Sequence, residues 1–258
     1  METKLLADLI LAAKKIAVFT GAGVSTESGI PDFRSPGGIW SKYDPDEFTI
    51  QKFLSSPDTR RKQWKMLTEG GLTTEAKPNA AHYAIAELNS LGKLDCVITQ
   101  NVDNLHQEAG VPDDKVLELH GNMRWAVCLT CRRRLPMKEV LQMIQEGTEI
   151  PDCPHCHGIL KPDAVFFGEA LPQETLMDAT SRSQNCDLFI VIGSSLVVYP
   201  AAHMPMYAKD ASAKLAIINL TPTPLDRYAL VLIRRKAGET MSEVMKRVRG
   251  RISPGSYA

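Results

Sequence analysis

Thr20-Gly21-Ala22-Gly23-Val24-Ser25-Thr26-Glu27-Ser28-Gly29-Ile30-Pro31-Asp32-Phe33-Arg34 is the stretch on which the reading of this chain turns. It follows a short apolar run, Ile16-Ala17-Val18-Phe19, which reads as a buried strand. A strand that enters a glycine-rich turn and then a helix cradles anions, because bare backbone N–H groups and the helix N-terminus face the ligand. The usual dinucleotide fingerprint is only partly present. Gly21 and Gly23 fill its first two glycine positions, Thr26 stands at the third, and the next glycine is Gly29.

Further apolar runs at 97–99, 188–192, 215–218 and 230–233 are short and continuous rather than alternating. Such runs suit strands buried on both faces of a parallel sheet. Helical segments are expected between them: Asn79 to about Leu91, with Gly92 as a C-terminal stop, then 173–184, 200–211 and 239–249. Leu5, Leu6, Leu9 and Ile10 share one face of an amphipathic N-terminal helix, and Asp8 argues against a signal segment. The alternation predicts an α/β fold, a doubly wound parallel Rossmann-like sheet built from residues 1–34, 78–122 and 160–258. Residues 35–77 and 123–159 break the alternation. They are expected to form a smaller inserted domain, a helical and cofactor-loop insertion plus a zinc ribbon around a short helix at 137–145.

Thirty basic residues balance thirty acidic ones, which gives no electrostatic support for nucleic-acid binding. No apolar run approaches the ~20 residues that span a bilayer. The expectation is a cytoplasmic protein with neither a membrane nor a specific nucleic acid among its partners. Of six cysteines, Cys96 and Cys186 sit in apolar context and read as small buried side chains. The other four form Cys128-x-x-Cys131 and Cys153-x-x-Cys156, two knuckles that aim four thiolates at one tetrahedral zinc ion. Four thiolates leave no open position for water, so the metal is read as structural, with His155 and His157 outside the ligand set.

Several separated segments together resemble the sirtuins, the NAD-dependent protein-lysine deacylases. After 20–34 come Thr99-Gln100-Asn101-Val102-Asp103-Asn104-Leu105-His106, Leu119-His120-Gly121, the stretch from Lys161 to Glu169, the stretch from Gly193 to Pro200, and Ile218-Asn219-Leu220. They stand in the family's order, with the four cysteines between the third and fourth, and span nearly the whole chain.

The resemblance implies that NAD is a consumed co-substrate and that acetyl-lysine proteins or peptides are the partners. It implies NAD contacts from Gly21, Ala22, Gly23, Ser25, Ile30, Asp32, Phe33, Arg34, Trp40, Gln100, Asn101, Val102, Asp103, Gly193, Ser194, Ser195, Asn219, Leu220 and Ala237. Within that set Ile30 and Asp32 hold nicotinamide, Phe33 shields the sugar, and Asn101 and Asp103 line the nicotinamide-ribose pocket. His120, at the end of an apolar run, is the expected catalytic base, with Asn101 as the second catalytic residue. Val165, Phe166, Phe167, Gly168 and Glu169 on one side, and Val197, Val198 and Tyr199 on the other, are expected to clamp an extended peptide as an added strand. His82, His106 and His203 read as residues that satisfy local hydrogen bonds.

The implied reaction moves an acyl group from lysine to ADP-ribose. The acyl oxygen attacks the nicotinamide ribose, nicotinamide leaves, and His120 activates a ribose hydroxyl. Desuccinylation, long-chain deacylation and mono-ADP-ribosyl transfer are alternatives within the family. A zinc-containing NAD-linked dehydrogenase is the remoter enzymatic alternative, and a zinc-ribbon interaction module the binding-only one. The succinyl-preferring branch carries a Tyr and an Arg three residues apart in the helical insertion. Counting from Pro57, Trp64 and Leu67 stand at those positions, so uncharged acyl groups are expected, acetyl first.

Overall fold

The computed structural model describes residues 1–69 and 76–252. Residues 70–75 of the expected helical insertion lie outside the described residues. The strands are β1 (Ile16–Thr20), β2 (Leu94–Thr99), β3 (Val116–Glu118), β4 (Gly121–Cys128), β5 (Arg134–Pro136), β6 (Leu160–Ala164), β7 (Leu188–Ile192), β8 (Lys214–Ile218) and β9 (Val231–Ile233). The helices are α1 (Glu2–Ala12), α2 (Ile50–Ser55), α3 (Pro57–Thr68), α4 (Ala80–Ser90), α5 (Leu105–Glu108), α6 (Met137–Gln145), α7 (Gln173–Gln184), α8 (Met204–Asp210) and α9 (Ala237–Arg249).

Six strands make one sheet in the order β3-β2-β1-β7-β8-β9, parallel throughout. Every residue of β1 and β7 is buried, which is why these strands read as unbroken apolar runs. Their side chains nonetheless divide by period 2. Ile16, Val18, Leu188 and Ile190 pack on one face with residues of α1, α4 and α9. Ala17, Phe19, Phe189 and Val191 pack on the other with residues of α7 and α8. The strand order reverses between β1 and β7, and open α/β sheets bind ligands outside the carboxyl ends at that switch point.

The helix ends follow local chemistry. Asn79 caps α4 by accepting from the Ala81 N–H at 2.9 Å, and Ser56 caps α3 with Pro57 in its first turn. The helix expected over 200–211 is divided, a single tight turn at Ala201–His203 followed by α8.

A second, antiparallel sheet has the order β5-β4-β6 and takes in Leu160–Ala164. Its core joins Trp64, Met66 and Leu67 of α3, Met137 and Val140 of α6, Met123 and Ala126 of β4, and the buried Cys128 and Cys153. Gly121 is where the chain leaves the parallel sheet for this one, at φ +79°. A Cβ there would lie 2.1 Å from the Asp163 carbonyl oxygen, so the residue after His120 must be glycine.

Candidate active site

The loops after β1, β2, β3 and β7 open into one cavity of about 390 Å³, reaching from the switch point to the antiparallel sheet. Most of the residues singled out in the sequence line it: Gly21 to Gly23, Ser25, Ile30, Asp32 to Arg34, Trp40, Gln100 to Asp103, His120, Val165 to Glu169, Gly193 to Ser195, Val198, Tyr199 and Asn219. Val197, Leu220 and Ala237 lie outside its lining. Val197 alternates with Val198 and is turned out, Leu220 is exposed, and Ala237 is buried at the start of α9.

At the switch point the backbones meet. The Gly23 N–H donates to the Gly193 carbonyl at 2.8 Å, and Gly193 has φ +65°. A Cβ on Gly23 would sit 2.7 Å from that carbonyl oxygen. Gly23 is therefore required by loop-to-loop contact as well as by any ligand. Among the described residues, the N–H groups of Ala22, Ser194 and Ser195 have no partner, and all three residues line the cavity. That is an unfilled set of backbone donors at the carboxyl end of a parallel sheet, which fits a pyrophosphate.

Beside it, two loops share a hydrogen-bonded cluster. Buried Ser25 donates to Asp103 Oδ2 at 2.6 Å and accepts from Asn101 Nδ2 at 3.1 Å. Asp103 Oδ1 accepts from the Leu105 N–H, which fixes the carboxylate. His82 stands behind Ser25 with Nε2 3.5 Å from its hydroxyl. Its Nδ1 accepts from the Asn79 N–H, so the ring proton is on Nε2, facing Ser25. His82 thus does more than satisfy α4 locally, as the sequence suggested, since it backs the cavity-lining cluster. Asp32 is held below the usual carboxylate range. Burial opposes its charge, but hydrogen bonds from Ser35 and Arg34 outweigh it.

His120 turns one ring nitrogen to the backbone and lines the cavity. Its Nδ1 lies 3.0 Å from the Gln100 carbonyl oxygen, which can only accept, so Nδ1 carries the proton. The Nε2 lone pair is left for the cavity that the residue lines. Burial lowers its pKa, which keeps the imidazole neutral. The His120 carbonyl also accepts from the Val165 N–H at 2.9 Å, tying residue 120 to the expected peptide-clamping segment.

That segment is shaped by a buried ion pair. Lys161, 4% exposed, donates to the carbonyls of Pro162 and Ala164 and pairs with Glu169 at 3.0 Å. Glu169 accepts from the Phe166 N–H at 2.7 Å, and the Phe166 ring lies 4.3 Å from the ammonium. Burial lowers the Lys161 pKa against the pull of Glu169. Phe167 is bridged on its outer side to Phe48 and Ile50. Trp40 stands at the centre of this wall, its ring 5.1, 5.4 and 5.9 Å from those of Phe33, Phe48 and Phe167.

The sequence reading placed Trp64 and Leu67 of α3 at the acyl pocket and missed Gln63 and Met66. Gln63, Met66 and Leu67 line the cavity, whereas Trp64 is fully buried in the core against β4 and α6 and lines nothing. The i, i+3, i+4 spacing of these three was the available signal. Arg60 is engaged by the Phe53 and Leu54 carbonyls, and Arg61 by Glu149 and Asp58, so neither reaches the cavity.

The four knuckle sulfurs all lie within 4.8 Å of one another, with Cys128–Cys156 at 3.5 Å and Cys131–Cys153 at 3.8 Å. A tetrahedral ion bonded at ~2.3 Å sets sulfur–sulfur edges of about 3.8 Å, so the cluster fits one zinc. Neither His155 nor His157 belongs to it.

His82 and His106 carry a pH consequence. Burial pushes His82 down to about 4, against the pull of Asp103, and pushes the fully buried His106 well below its usual value. The two rings lie 5.0 Å apart, and His106 Nε2 meets Thr20 Oγ1 at 2.9 Å while its Nδ1 has no partner. Both are neutral when folded and protonate near ~6.5 when unfolded. Their contribution is therefore complete above pH ~6.5 and is lost as pH falls toward the folded values. For His82 the loss between pH 6.5 and 5 is about 2 kcal/mol. The melting temperature should drop steadily across that interval; a flat profile from pH 7 to 5 would contradict the assignment of both as neutral.

A parallel sheet with a ligand crevice at its switch point, joined to a four-thiolate antiparallel module, defines a nucleotide-binding α/β protein stapled by metal. Residues 21–200 match the Sir2 family. The chain is 46% identical over 245 residues to NAD-dependent protein deacetylase 1 of Pyrobaculum aerophilum, covering 95% of this chain and 94% of that protein. It is 46% identical over 250 residues to NAD-dependent protein deacylase 2 of Archaeoglobus fulgidus, covering 96% of each. A solved structure of Sir2 with a p53 peptide and NAD superposes with a TM-score of 0.88 at 40% identity, covering 98% of this chain and 100% of that one. The chain belongs to the Sir2 family.

Proposed function

We propose that this protein is an NAD-dependent protein-lysine deacetylase, which moves the acetyl group from lysine to ADP-ribose and releases nicotinamide and O-acetyl-ADP-ribose. The observation that carries the reading is His120. It is a neutral imidazole with Nδ1 committed to a carbonyl and Nε2 left to a cavity that also holds a set of unpaired backbone donors. Relatives at 41–46% identity bear the name NAD-dependent protein deacetylase.

NAD supplies the ribose that receives the acyl group. Ala22, Ser194 and Ser195 offer N–H groups to its pyrophosphate. Ser25, Asn101 and Asp103 form the polar cluster for the nicotinamide ribose, and Ile30, Asp32 and Phe33 surround the nicotinamide end. His120 Nε2 takes the proton from a ribose hydroxyl, and the Gln100 carbonyl stabilises the imidazolium that results. Val165 to Glu169 and Val198 to Tyr199 hold the peptide by its backbone. The zinc is structural. Four thiolates in paired knuckles support a reducing, cytoplasmic setting.

The test is incubation with NAD and an acetyl-lysine peptide, with mass spectrometry of every product. Equimolar nicotinamide, deacetylated peptide and O-acetyl-ADP-ribose are expected; nicotinamide that stays attached while hydride moves would make the protein a dehydrogenase. The same peptide carrying succinyl-lysine should be turned over at least about tenfold less efficiently, because α3 offers no cation to a buried carboxylate. A higher kcat/KM for succinyl would contradict the apolar wall.

A further inference from the structure

The wall that α3 and β4 give the cavity is apolar with one exception. Phe48, Met66, Leu67, Met123 and Ala164 belong to one hydrophobic cluster and line the cavity. Gln63 lines it among them and is only 5% exposed. A carboxamide in such surroundings must have both ends satisfied or it costs free energy.

One end is satisfied. Gln63 Nε2 donates to the Glu47 carbonyl oxygen, which accepts only and therefore fixes the amide's orientation. Glu47 is itself anchored, its carboxylate paired with Lys52 and hydrogen-bonded to Thr59 at 3.1 Å. The other end is open. Among the described residues no donor reaches Gln63 Oε1, and it is not one of the fully buried unpartnered atoms, so it stays open to water in the cavity. The wall thus presents one oriented hydrogen-bond acceptor and, among the described residues, no cation.

We propose that this cavity selects short hydroxyacyl groups on lysine over unsubstituted acyl groups of the same length, with Gln63 Oε1 accepting the acyl hydroxyl. The inference rests on the lysine-deacylase reading above and names a substrate class for that site. The chemistry of transfer is unchanged, since the hydroxyl is neither lost nor oxidised. The sign of the preference is diagnostic. A wholly apolar wall favours the unsubstituted chain, because a hydroxyl entering it gives up its water for nothing. A wall with an unfilled acceptor favours the hydroxyl and leaves its own acceptor unpaired with the alkyl chain.

The experiment uses one peptide bearing acetyl-, butyryl- or 3-hydroxybutyryl-lysine, the last as each enantiomer, with saturating NAD. For the unaltered protein, kcat/KM for one 3-hydroxybutyryl enantiomer is expected to exceed that for butyryl by about 3- to 10-fold. In Gln63→Met, which keeps the length and removes the carbonyl, the ratio should fall to one or below. The ratio is internal to each protein, so a reduced folded fraction in the variant cancels. A ratio at or below one in the unaltered protein, or an undiminished ratio in Gln63→Met, overturns the proposal while leaving deacetylation intact. Failure to turn over any of the peptides, acetyl included, overturns the deacylase reading itself and this inference with it.

Discussion

His120→Ala is expected to lower deacetylation by ~10²–10⁴-fold while leaving the protein folded. Among the described residues the side chain makes one hydrogen bond, to the Gln100 carbonyl, and the bond from Val165 N–H to residue 120 uses only its backbone. Removing the ring therefore takes away the base without releasing the segment beside it. In the proposed reaction the base acts after nicotinamide has left, so exchange of free labelled nicotinamide into NAD should be less damaged than product formation. Measuring both on the same preparation separates the steps. Equal loss of exchange would move His120 into the first step or into cofactor binding. Because burial lowers the His120 pKa, the base form persists below the ordinary histidine value. The acid limb of kcat/KM in the unaltered protein should accordingly lie below pH ~6.5.

Loss of the zinc ligands has the second large effect. Cys128 and Cys153 are buried in the same apolar cluster as Trp64, Val140 and Leu160, so the metal and the core of the antiparallel module are one unit. Metal-binding free energy is folding free energy in such a module, and structural zinc sites in small peptides reach about 10–16 kcal/mol. Cys128→Ala or Cys153→Ala is expected to release the ion and unfold β4 to β6 with α6. The readouts are metal content and loss of hydrogen-exchange protection in residues 123–159, with the parallel sheet retaining its own. A metal-free variant that stayed folded, kept its NAD affinity and failed only at chemistry would show the ion to be catalytic.

The parallel sheet was legible because its strands are buried on both faces, and an unbroken apolar run such as Leu188–Ile192 admits few other readings. The loops after β1, β2 and β7 were legible because their residue types are out of place at the end of such runs. The α3 wall was less so. Its periodicity shows that Gln63, Met66 and Leu67 share a face, but not which face meets the cavity. Trp64 is rotated about 100° from Gln63 on the helix, and that turn sends it into the core. The role of His82 was hidden for another reason. Its contact with Ser25 joins residues 57 positions apart, and nothing local in α4 announces it. The glycines were read for their openness to phosphate. In the structure Gly23 is equally demanded by Gly193, a constraint between two loops that neither states alone.

The buried pair of Lys161 and Glu169 bears on how such a groove can change over generations. Replacing either partner alone strands a charge or an unfilled set of carbonyls in the interior, at a cost of about 3–5 kcal/mol, so single-step mutational routes through these positions are closed. The rim is different. Phe167 and Tyr199 line the cavity at 45% and 59% exposure, and changing their exposed parts disturbs little that holds the fold. Inheritance can thus redraw which sequences the proposed peptide groove prefers while the lysine underneath keeps its backbone edge in the same place.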